Sequence, residues 1–540
     1  MKRTILFIFL GVFTHILSQA QSEKPKLVVG IIVDQMRQEY LYRFENRFGE
    51  DGFKKLMNEG FMFKNAHYNY IPTKTGPGHT SVYTGTTPST HGIIANDWWD
   101  KKQGKYINCV GDDRFNTIGS DSKHGEVSIK NLLSTTITDE LMLFTQSRSL
   151  VYGISLKDRC ATLPAGHGGQ AFWYDKDNGK FITSSYYLSE LPNWIKEFNN
   201  RKLADKYLSM TWNTLYDIDT YKESSPDKSA GEKGIRSLNG EFPYDMTKLD
   251  LNYENVIEIP YGNDLLTDFA IETLDKVDFG KDQYTDFLAI SYSATDYIGH
   301  GFGPYSVEVE DTYLRLDRNI ATLIKKLDEK VGKGNYTLFL TADHAVAAIP
   351  TYLEERKFGV GYFNKDESVK ALSAALVEKY GNRPWIDNVS NEQVFLNHDS
   401  ILASNIDIEE ISQFIVNYFL KLDAIANAFT AREVREFAIV GNDLKSQLAR
   451  GFNPARSGDI ILVLQPGWLR TSSTSATNHS TGYNYDTHVP LLWYGNSIKK
   501  GSSVKYHPIT DIAPTLSMML EIGLPSGATG QPLYELFDQQ

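Results

Sequence analysis

Three apolar runs, each followed by an aspartate, constrain the fold of this chain more than any other feature. With their aspartates, the runs are Lys26–Asp34, Phe287–Asp296 and Tyr336–Asp343. Continuous apolar segments of this length, bounded by turn residues, are typical of strands buried on both faces of a parallel sheet. In such sheets, ligands and catalytic groups collect beyond the carboxyl ends of the strands. The pattern therefore predicts an α/β fold with a mostly parallel central sheet flanked by helices and three acids at one sheet edge.

A helix between two of these runs supports the parallel arrangement. Apolar residues recur at three- and four-residue spacing between Val307 and Lys330, which is the period of an amphipathic helix. A strand–helix–strand unit of this kind joins parallel neighbours. A second helix is expected late in the chain, at Ile512–Leu520.

Histidines accompany two of the three acids. His300 follows Asp296 by four residues, so the two share one face if this segment is helical. Asp343 and His344 are adjacent and converge only if the strand has already ended there. Three acids in one place would repel one another unless cations lay between them, and mixed imidazole and carboxylate donors favour zinc. Taken one at a time, such acids are more often helix N-caps or solvated loop residues.

The segment 73–81 carries a candidate nucleophile. Gly76 and Gly78 allow a tight turn and close approach of a ligand, and Pro77 suits the first position of a helix. Thr75 would then lie at a helix N-terminus, where free N–H groups favour an anion. A threonine hydroxyl needs a base or a metal to become a nucleophile; otherwise Thr75 is an N-cap.

Two basic residues follow a further predicted strand, Val151–Ser155. Lys157 and Arg159 are two residues apart, so they point the same way if the strand continues through them. They are either donors to an anion or a solvated strand end.

The first twenty residues are typical of a secretory signal. Lys2 and Arg3 form a basic start, Ile5–Leu17 is mostly apolar, and small residues precede position 21. The apolar stretch is short for a membrane span, and His15 interrupts it. We therefore expect a periplasmic or secreted protein of residues 21–540 with no membrane anchor.

Long segments separate the core elements. We interpret residues 97–278 and 349–470 as insertions around one active site within a single catalytic domain. The first includes a predicted hairpin, Phe172–Phe181, and a polar stretch, Glu223–Gly240, that is typical of a mobile loop. The Ser/Thr-rich stretch 471–481 is expected to be a loop that leads to His488.

Composition excludes some functions. The chain has 55 Lys and Arg against 67 Asp and Glu, a net charge of −12, which argues against a general nucleic-acid or anionic-membrane binder. Cys109 and Cys160 would either pair in an oxidising compartment or remain free thiols. Neither belongs to a cysteine metal site or redox motif.

Five segments resemble the alkaline phosphatase superfamily, and more narrowly the PafA-like bacterial alkaline phosphatases. They follow the family's order and span almost the whole mature chain. The segments are Thr75–His79, His91–Trp98, Thr295–Gly301, Thr341–His344 and Asp486–Leu491.

The resemblance implies a phosphatase that hydrolyses small phosphate monoesters through a phosphothreonine at Thr75, with two zinc ions per chain. It assigns one zinc to Asp296, His300 and His488, and the other to Asp34, Asp343 and His344 with Thr75 completing it. It also makes Asn96, Lys157 and Arg159 donors to the phosphoryl oxygens. We expect a monomer without a nucleic-acid partner.

Three other functions stay in view. Nucleotide pyrophosphatases and phosphodiesterases share a very similar metal set, so the phosphoryl donors should discriminate them. A sulfatase would need a Cys/Ser-x-Pro-x-Arg motif, which neither Cys109 nor Cys160 begins. A catalytically dead binding protein is disfavoured because the implied metal set has no gap.

Overall fold

The central strand of the fold is Leu27–Val33, an apolar segment whose seven residues are all buried. In this computed structural model, which describes residues 24–470 and 476–537, it pairs in parallel with Asp286–Tyr292 on one side and Tyr336–Thr341 on the other. Aliphatic side chains suit a strand whose two faces are both covered. The predicted α/β architecture is confirmed, whereas the predicted signal, residues 1–20, lies outside the described residues.

The central sheet has eleven strands. In chain order they are β1 (Leu27–Val33), β2 (Phe61–His67), β3 (Thr117–Ile118), β4 (Val151–Ser155), β5 (Gln170–Asp175), β6 (Lys180–Ser184), β7 (Asp286–Tyr292), β8 (Tyr336–Thr341), β9 (His488–Gly495), β10 (Gly501–Ser503) and β11 (His507–Pro508). Their order across the sheet is β10-β2-β9-β8-β1-β7-β4-β5-β6-β3, with β11 beside β2. From β8 to β5 all neighbours run parallel. The carboxyl ends of β8, β1, β7 and β4 therefore meet at one edge.

The two predicted helices are present. Val307–Leu327 begins at an N-cap, Ser306, whose hydroxyl accepts a hydrogen bond from Val309 N at 3.2 Å, and Ile512–Leu520 has the predicted bounds. No helix in the described part of the chain is long and apolar enough to cross a membrane. The other α-helices are Tyr40–Arg43, Phe53–Glu59, Thr75–Thr84, Pro88–His91, Ile137–Phe144, Asp158–Ala165, Asn193–Asn200, Leu203–Leu208, Tyr261–Lys276, Ala294–Phe302, Pro350–Glu354, Lys365–Tyr380, His398–Ala403, Ile408–Phe419, Ala431–Glu436, Leu444–Gly451 and Asn484–Thr487.

The segment 97–278 is more than an insertion. It supplies β3, β4, β5 and β6, the four of the eleven strands that lie on the far side of β7. The predicted hairpin is formed by β5 and β6 and turns at Gly179, whose φ is +67°. Sequence reasoning separated this segment from the core because its strands are short and far from the aspartate-bearing runs. The small hairpin Asp97–Asp100 with Lys105–Asn108 and the pair Thr211–Trp212 with Tyr244–Asp245 lie outside the sheet.

The segment 349–470 forms a second, smaller unit. Its four-stranded antiparallel sheet has the strand order Ile386–Ser390, Gln393–Leu396, Ile460–Leu464 and Ile425–Thr430. Helix Ile408–Phe419 packs on this sheet, and the buried apolar residues between them form a core separate from that of the central sheet. A short pair, Tyr362–Phe363 with Leu469–Arg470, joins its two ends.

Both cysteines are free and buried. Cys109 and Cys160 are each 1% exposed, and burial raises the pKa of the Cys109 thiol. Of the two states left open by the sequence, the structure has the free thiols.

The separate core of the smaller unit predicts a local dependence on Phe419, which is fully buried there. Phe419→Ala should lower the free energy of unfolding of this unit by about 3–5 kcal/mol, because a large cavity replaces the ring. The adjacent Leu420 is 47% exposed, so Leu420→Ala should cost less than about 0.5 kcal/mol. Urea unfolding of both variants tests this, and equal losses would contradict the packing.

Candidate metal centre

Three buried acids meet at the sheet edge. Asp34 directly follows β1, and Asp343 lies two residues beyond the end of β8. Asp296 differs from the sequence expectation, since β7 ends at Tyr292 and Asp296 sits in the first turn of helix Ala294–Phe302. That helix places His300 one turn later, with its Nε2 3.2 Å from Asp296 Oδ1.

Asp34, Asp343 and His344 form one group of potential ligands. Each is fully buried, and His344 Nε2 lies 3.6 Å from both Asp34 Oδ1 and Asp343 Oδ2. None of these three atoms has a hydrogen-bond partner among the described residues. Buried polar atoms are almost always paired, so three unpaired donor atoms facing one another fit a bound cation.

A second group consists of Asp296, His344 and His479, whose ligand atoms lie within 4.8 Å of one another. The His479 ring stacks on His344 at 3.5 Å between centroids and lies 5.2 Å from the ring of His300. Each of these three rings has Nδ1 at a backbone carbonyl, namely Thr477 O for His300 (2.8 Å), Ala345 O for His344 (2.9 Å) and Thr73 O for His479 (2.7 Å). A ring that donates from Nδ1 leaves the Nε2 lone pair for a metal, as is usual for metal-ligating histidines.

His488 is in neither group of potential ligands among the described residues, whereas His479 lies beside Asp296 and His344. His488 begins β9, opposite His67 of β2, and the two rings stack at 4.4 Å between centroids. His488 Nε2 lies 3.0 Å from the carbonyl oxygen of Lys64. The strand register therefore turns this ring to its neighbour in the sheet, while the loop before β9 brings His479 to the acids. The only sequence signal for His479 was a histidine within the predicted Ser/Thr-rich loop.

Lys157 lies between the two groups. Its Nζ is 2.7 Å from Asp34 Oδ2 and 2.7 Å from Asp296 Oδ2. Strand β4 ends at Ser155 and Lys157 occupies the N-cap position of helix Asp158–Ala165, so the strand does not continue through Lys157 and Arg159. Helix geometry instead places Arg159 in the first turn, with a buried Nε that has no hydrogen-bond partner among the described residues.

The acids depend on nearby positive charge. Burial and the Asp296 carboxylate raise the pKa of Asp34, and burial and Asp34 raise the pKa of Asp343 well above its ordinary value. Burial would also raise the pKa of Asp296, but Lys157 and His300 hold it well below the ordinary value. Burial disfavours the ammonium of Lys157, yet Asp296 and Asp34 outweigh it and raise its pKa. A site with this crowding of carboxylates favours cations, and its imidazole nitrogens favour zinc among them.

Gln35, which the sequence analysis did not single out, holds two of the acids in place. Its backbone N donates to Asp343 Oδ1 at 3.1 Å and its Nε2 donates to Asp296 Oδ1 at 2.6 Å. Gln35 has a φ of +67°, a left-handed conformation that a non-glycine residue keeps only where its surroundings enforce it. Thr295 adds a hydrogen bond from its hydroxyl to Asp34 O at 2.6 Å.

Thr75 is the first residue of helix Thr75–Thr84, as predicted, and is 2% exposed. A Cβ on Gly78 would overlap the backbone carbonyl of Asp343, so glycine lets this helix start approach the metal ligands. Asn96 Oδ1 accepts a hydrogen bond from Gly76 N at 2.7 Å. That bond leaves the amide NH₂ of Asn96 to donate elsewhere at the helix N-terminus.

Comparison with known proteins gives consistent matches. A family model described as type I phosphodiesterase/nucleotide pyrophosphatase matches residues 28–488. Alkaline phosphatase PafA of Elizabethkingia meningoseptica is 42% identical over 520 residues, covering 95% of this chain and 94% of that protein. Alkaline phosphatase PhoV of Synechococcus elongatus is 41% identical over 516 residues, covering 95% and 93%.

Two further matches extend the comparison. A Myroides odoratus protein named calcium-transporting ATPase is 42% identical over 546 residues, covering 100% of each chain. The crystal structure of wild-type PafA superposes with a TM-score of 0.92 at 41% identity, covering 95% of this chain and 99% of that chain. The fold described above is therefore the PafA fold.

Metal content tests whether His479 or His488 is the ligand. Elemental analysis of the purified protein should find about two zinc ions per chain, as in two-metal hydrolases. His479→Ala should lower the metal content towards one ion, because its ring faces Asp296. His488→Ala is the matched control and should leave the content unchanged, since that ring bonds Lys64 and stacks on His67. The opposite pattern would restore His488 as the ligand.

Proposed function

Because the chain belongs to the type I phosphodiesterase/nucleotide pyrophosphatase family and is similar over nearly its whole length to the alkaline phosphatases PafA and PhoV, we propose that it is a zinc-dependent alkaline phosphatase. Its substrates are small phosphate monoesters. The signal-like residues 1–20 support a periplasmic or secreted location.

The position of Lys157 is the observation that carries this proposal. Its buried ammonium touches a carboxylate of each ligand group, and Arg159 follows two residues later in the first turn of helix Asp158–Ala165. When those carboxylates bind cations, the ammonium is left to bind an anion. A monoester dianion has three non-bridging oxygens, whereas a diester has two and carries a second organic group. Two cationic donors placed close together, Lys157 and Arg159, therefore favour binding of the monoester.

The two ligand groups assign the metals. Asp34, Asp343 and His344 would hold one ion beside Thr75. Asp296 and His479 of the second group would hold the other, with His300 in place of His344, since His300 Nε2 lies 3.2 Å from Asp296 Oδ1 and its ring 5.2 Å from that of His479. Bound zinc would supply positive charge that lowers the pKa of the attacking hydroxyl and offsets charge on the leaving oxygen.

Residues of the protein supply the nucleophile and bind the phosphoryl group. Thr75 Oγ1 forms a bond to phosphorus as the bond to the leaving alcohol breaks, giving a phosphothreonine. The proton lost by Thr75 passes to solvent and the departing alkoxide takes one from solvent. Water then attacks phosphorus from the side that the alcohol has left, the bond from phosphorus to Thr75 Oγ1 breaks, and inorganic phosphate and the Thr75 hydroxyl are released. The N-terminus of helix Thr75–Thr84 and the amide of Asn96 bind the non-bridging oxygens, together with Lys157 and Arg159. These contacts act by position and charge rather than by covalent chemistry.

The name of the Myroides odoratus relative raises ATP as a substrate. The terminal phosphoryl group of ATP also has three non-bridging oxygens, so its cleavage would use Thr75 and the same donors. We therefore treat ATP as one substrate of the proposed phosphatase and propose no transport.

Thr75 is testable as the nucleophile. Thr75→Ala should remove nearly all turnover while the fold and metal content persist, because the attacking oxygen is lost. Thr75→Ser should retain substantial activity, since a hydroxyl remains at the same helix position. Acid trapping and peptide mass analysis should locate phosphate on residue 75 of the wild type. Wild-type rates in Thr75→Ala would exclude this mechanism.

The preference of the enzyme for monoesters over diesters is tested by removing the side chains that donate to the phosphoryl oxygens. Arg159→Ala should lower monoester kcat/KM about a hundredfold, corresponding to about 3 kcal/mol, with a smaller loss on a matched methyl diester. Lys157→Ala should behave similarly, but its metal content must be measured because it touches two ligand carboxylates. Asn96→Ala should also impair monoester turnover.

Arg148→Ala is the control, since Arg148 is an exposed residue before the opposite end of β4. It should leave both rates unchanged. Equal losses on both substrates in Arg159→Ala would mean that the residue supports the site without recognising the third oxygen. A wild-type preference for the diester would overturn the phosphatase assignment and favour a phosphodiesterase on the same scaffold.

A further inference from the structure

A cavity of about 200 Å³ adjoins the metal centre along helix Ala294–Phe302. One wall is made by Tyr297, His300 and Gly301 of that helix. The opposite wall is made by the irregular segment around Lys233 and Arg236, with Glu258 beside them. The volume is enough for a polar group of several heavy atoms together with water.

The cavity connects directly to the reacting groups. His300 Nε2 is 3.2 Å from Asp296 Oδ1, and the ring of Tyr297 has Lys157 Nζ 4.7 Å from its centroid. The helix of Thr75 instead approaches Asp343, through Gly78. In-line displacement requires the leaving oxygen to lie opposite the attacking one. The cavity therefore lies on the side of phosphorus where the alcohol of a monoester leaves.

Backbone hydrogen bonds hold the outer wall in place. Lys233 N donates to Gly301 O at 2.8 Å, and Ser225 N donates to Tyr305 O at 2.7 Å. This stretch was predicted from its polar sequence to be a mobile loop, but here it is anchored on the helix that carries His300. The Lys233 side chain is thus presented at the rim of the cavity by a fixed backbone.

The charges on this wall are not balanced. Arg236 Nη2 pairs with Glu254 Oε2 at 2.9 Å and with Glu258 Oε1 at 3.0 Å. The ammonium of Lys233 forms no salt bridge within the described ranges 24–470 and 476–537, so its charge faces the cavity without a direct partner. Of the charged residues that line the cavity, Lys233 and Arg236 are positive and Glu258 is negative. An anionic group entering the cavity would therefore meet the ammonium of Lys233, the cation that no carboxylate of the described residues pairs.

We propose that this cavity is the leaving-group subsite and that Lys233 makes it selective for monoesters whose alcohol carries a second anionic group. The inference rests on the proposed phosphatase function and adds the substrate class. Lys233 is exposed at the rim, where water and salt screen its charge, so its effect is on specificity rather than on the chemical step.

The test uses two aryl monoesters, 4-carboxyphenyl phosphate and 4-carbamoylphenyl phosphate, which differ in the charge of one substituent. The measured quantity is the ratio of their kcat/KM values, compared between each variant and the wild type. This comparison cancels the different intrinsic reactivities of the two esters. Lys233→Gln should lower the ratio about threefold and Lys233→Glu about tenfold, while rates on the carbamoyl ester stay within about twofold.

Two controls separate a direct effect of the Lys233 charge at the cavity from an effect of the protein's overall charge. Lys222 is an exposed lysine of the same segment outside the cavity, and Lys222→Gln should leave the ratio unchanged. Raising the salt concentration should reduce the wild-type ratio towards that of Lys233→Gln, because screening shortens the reach of the charge.

The outcomes distinguish this inference from the proposed function. If the wild type hydrolyses neither ester, the phosphatase assignment fails. If it hydrolyses both but the ratio is the same in the wild type, Lys233→Gln and Lys233→Glu, only the role of Lys233 fails. An equal effect of Lys222→Gln would likewise overturn it, because the selectivity would then come from overall charge.

Discussion

The mutual repulsion of three buried carboxylates is the constraint on which the rest of this site depends. Asp34, Asp296 and Asp343 are brought together because their strands are neighbours in a parallel sheet. In the absence of cations their burial would be costly. Lys157 offsets part of this negative charge within the protein. The unpaired atoms of Asp34, Asp343 and His344 mark a site where a metal ion would offset the rest.

The surroundings of the acids are built to keep their geometry. Gln35 adopts a left-handed conformation that lets one residue bond two of them. Backbone carbonyls bind Nδ1 of His300, His344 and His479, which leaves Nε2 of each ring to face the site. Such anchoring fixes both ring orientation and tautomer in metal sites. Hydrogen bonds within the protein therefore position the ligand side chains.

The positive groups come from parts of the chain other than the acids. Strand β4 and the helix after it supply Lys157 and Arg159, and Asn96 precedes the small hairpin that begins at Asp97. The segment 97–278 thus contributes four of the eleven strands of the sheet and both cationic donors, Lys157 and Arg159, to the proposed phosphoryl site. Its later, irregular part forms the outer wall of the cavity beside His300. One segment accordingly carries both proposed elements of substrate recognition, the phosphoryl donors and the leaving-group wall.

The sequence by itself determined the parallel sheet, the strand–helix–strand unit and the pairing of Asp296 with His300, because apolar periodicity and a four-residue spacing are local properties. It also placed Thr75 at a helix start, from glycine and proline preferences that act within a few residues. Tertiary structure alone decided that His479 rather than His488 faces the acids, since the register of β9 on β2 directs the His488 ring to His67. It also decided that Lys157 bridges two carboxylates from other strands and that 97–278 completes the sheet. Contacts of this kind depend on which distant strands become neighbours, and no spacing along the chain encodes that.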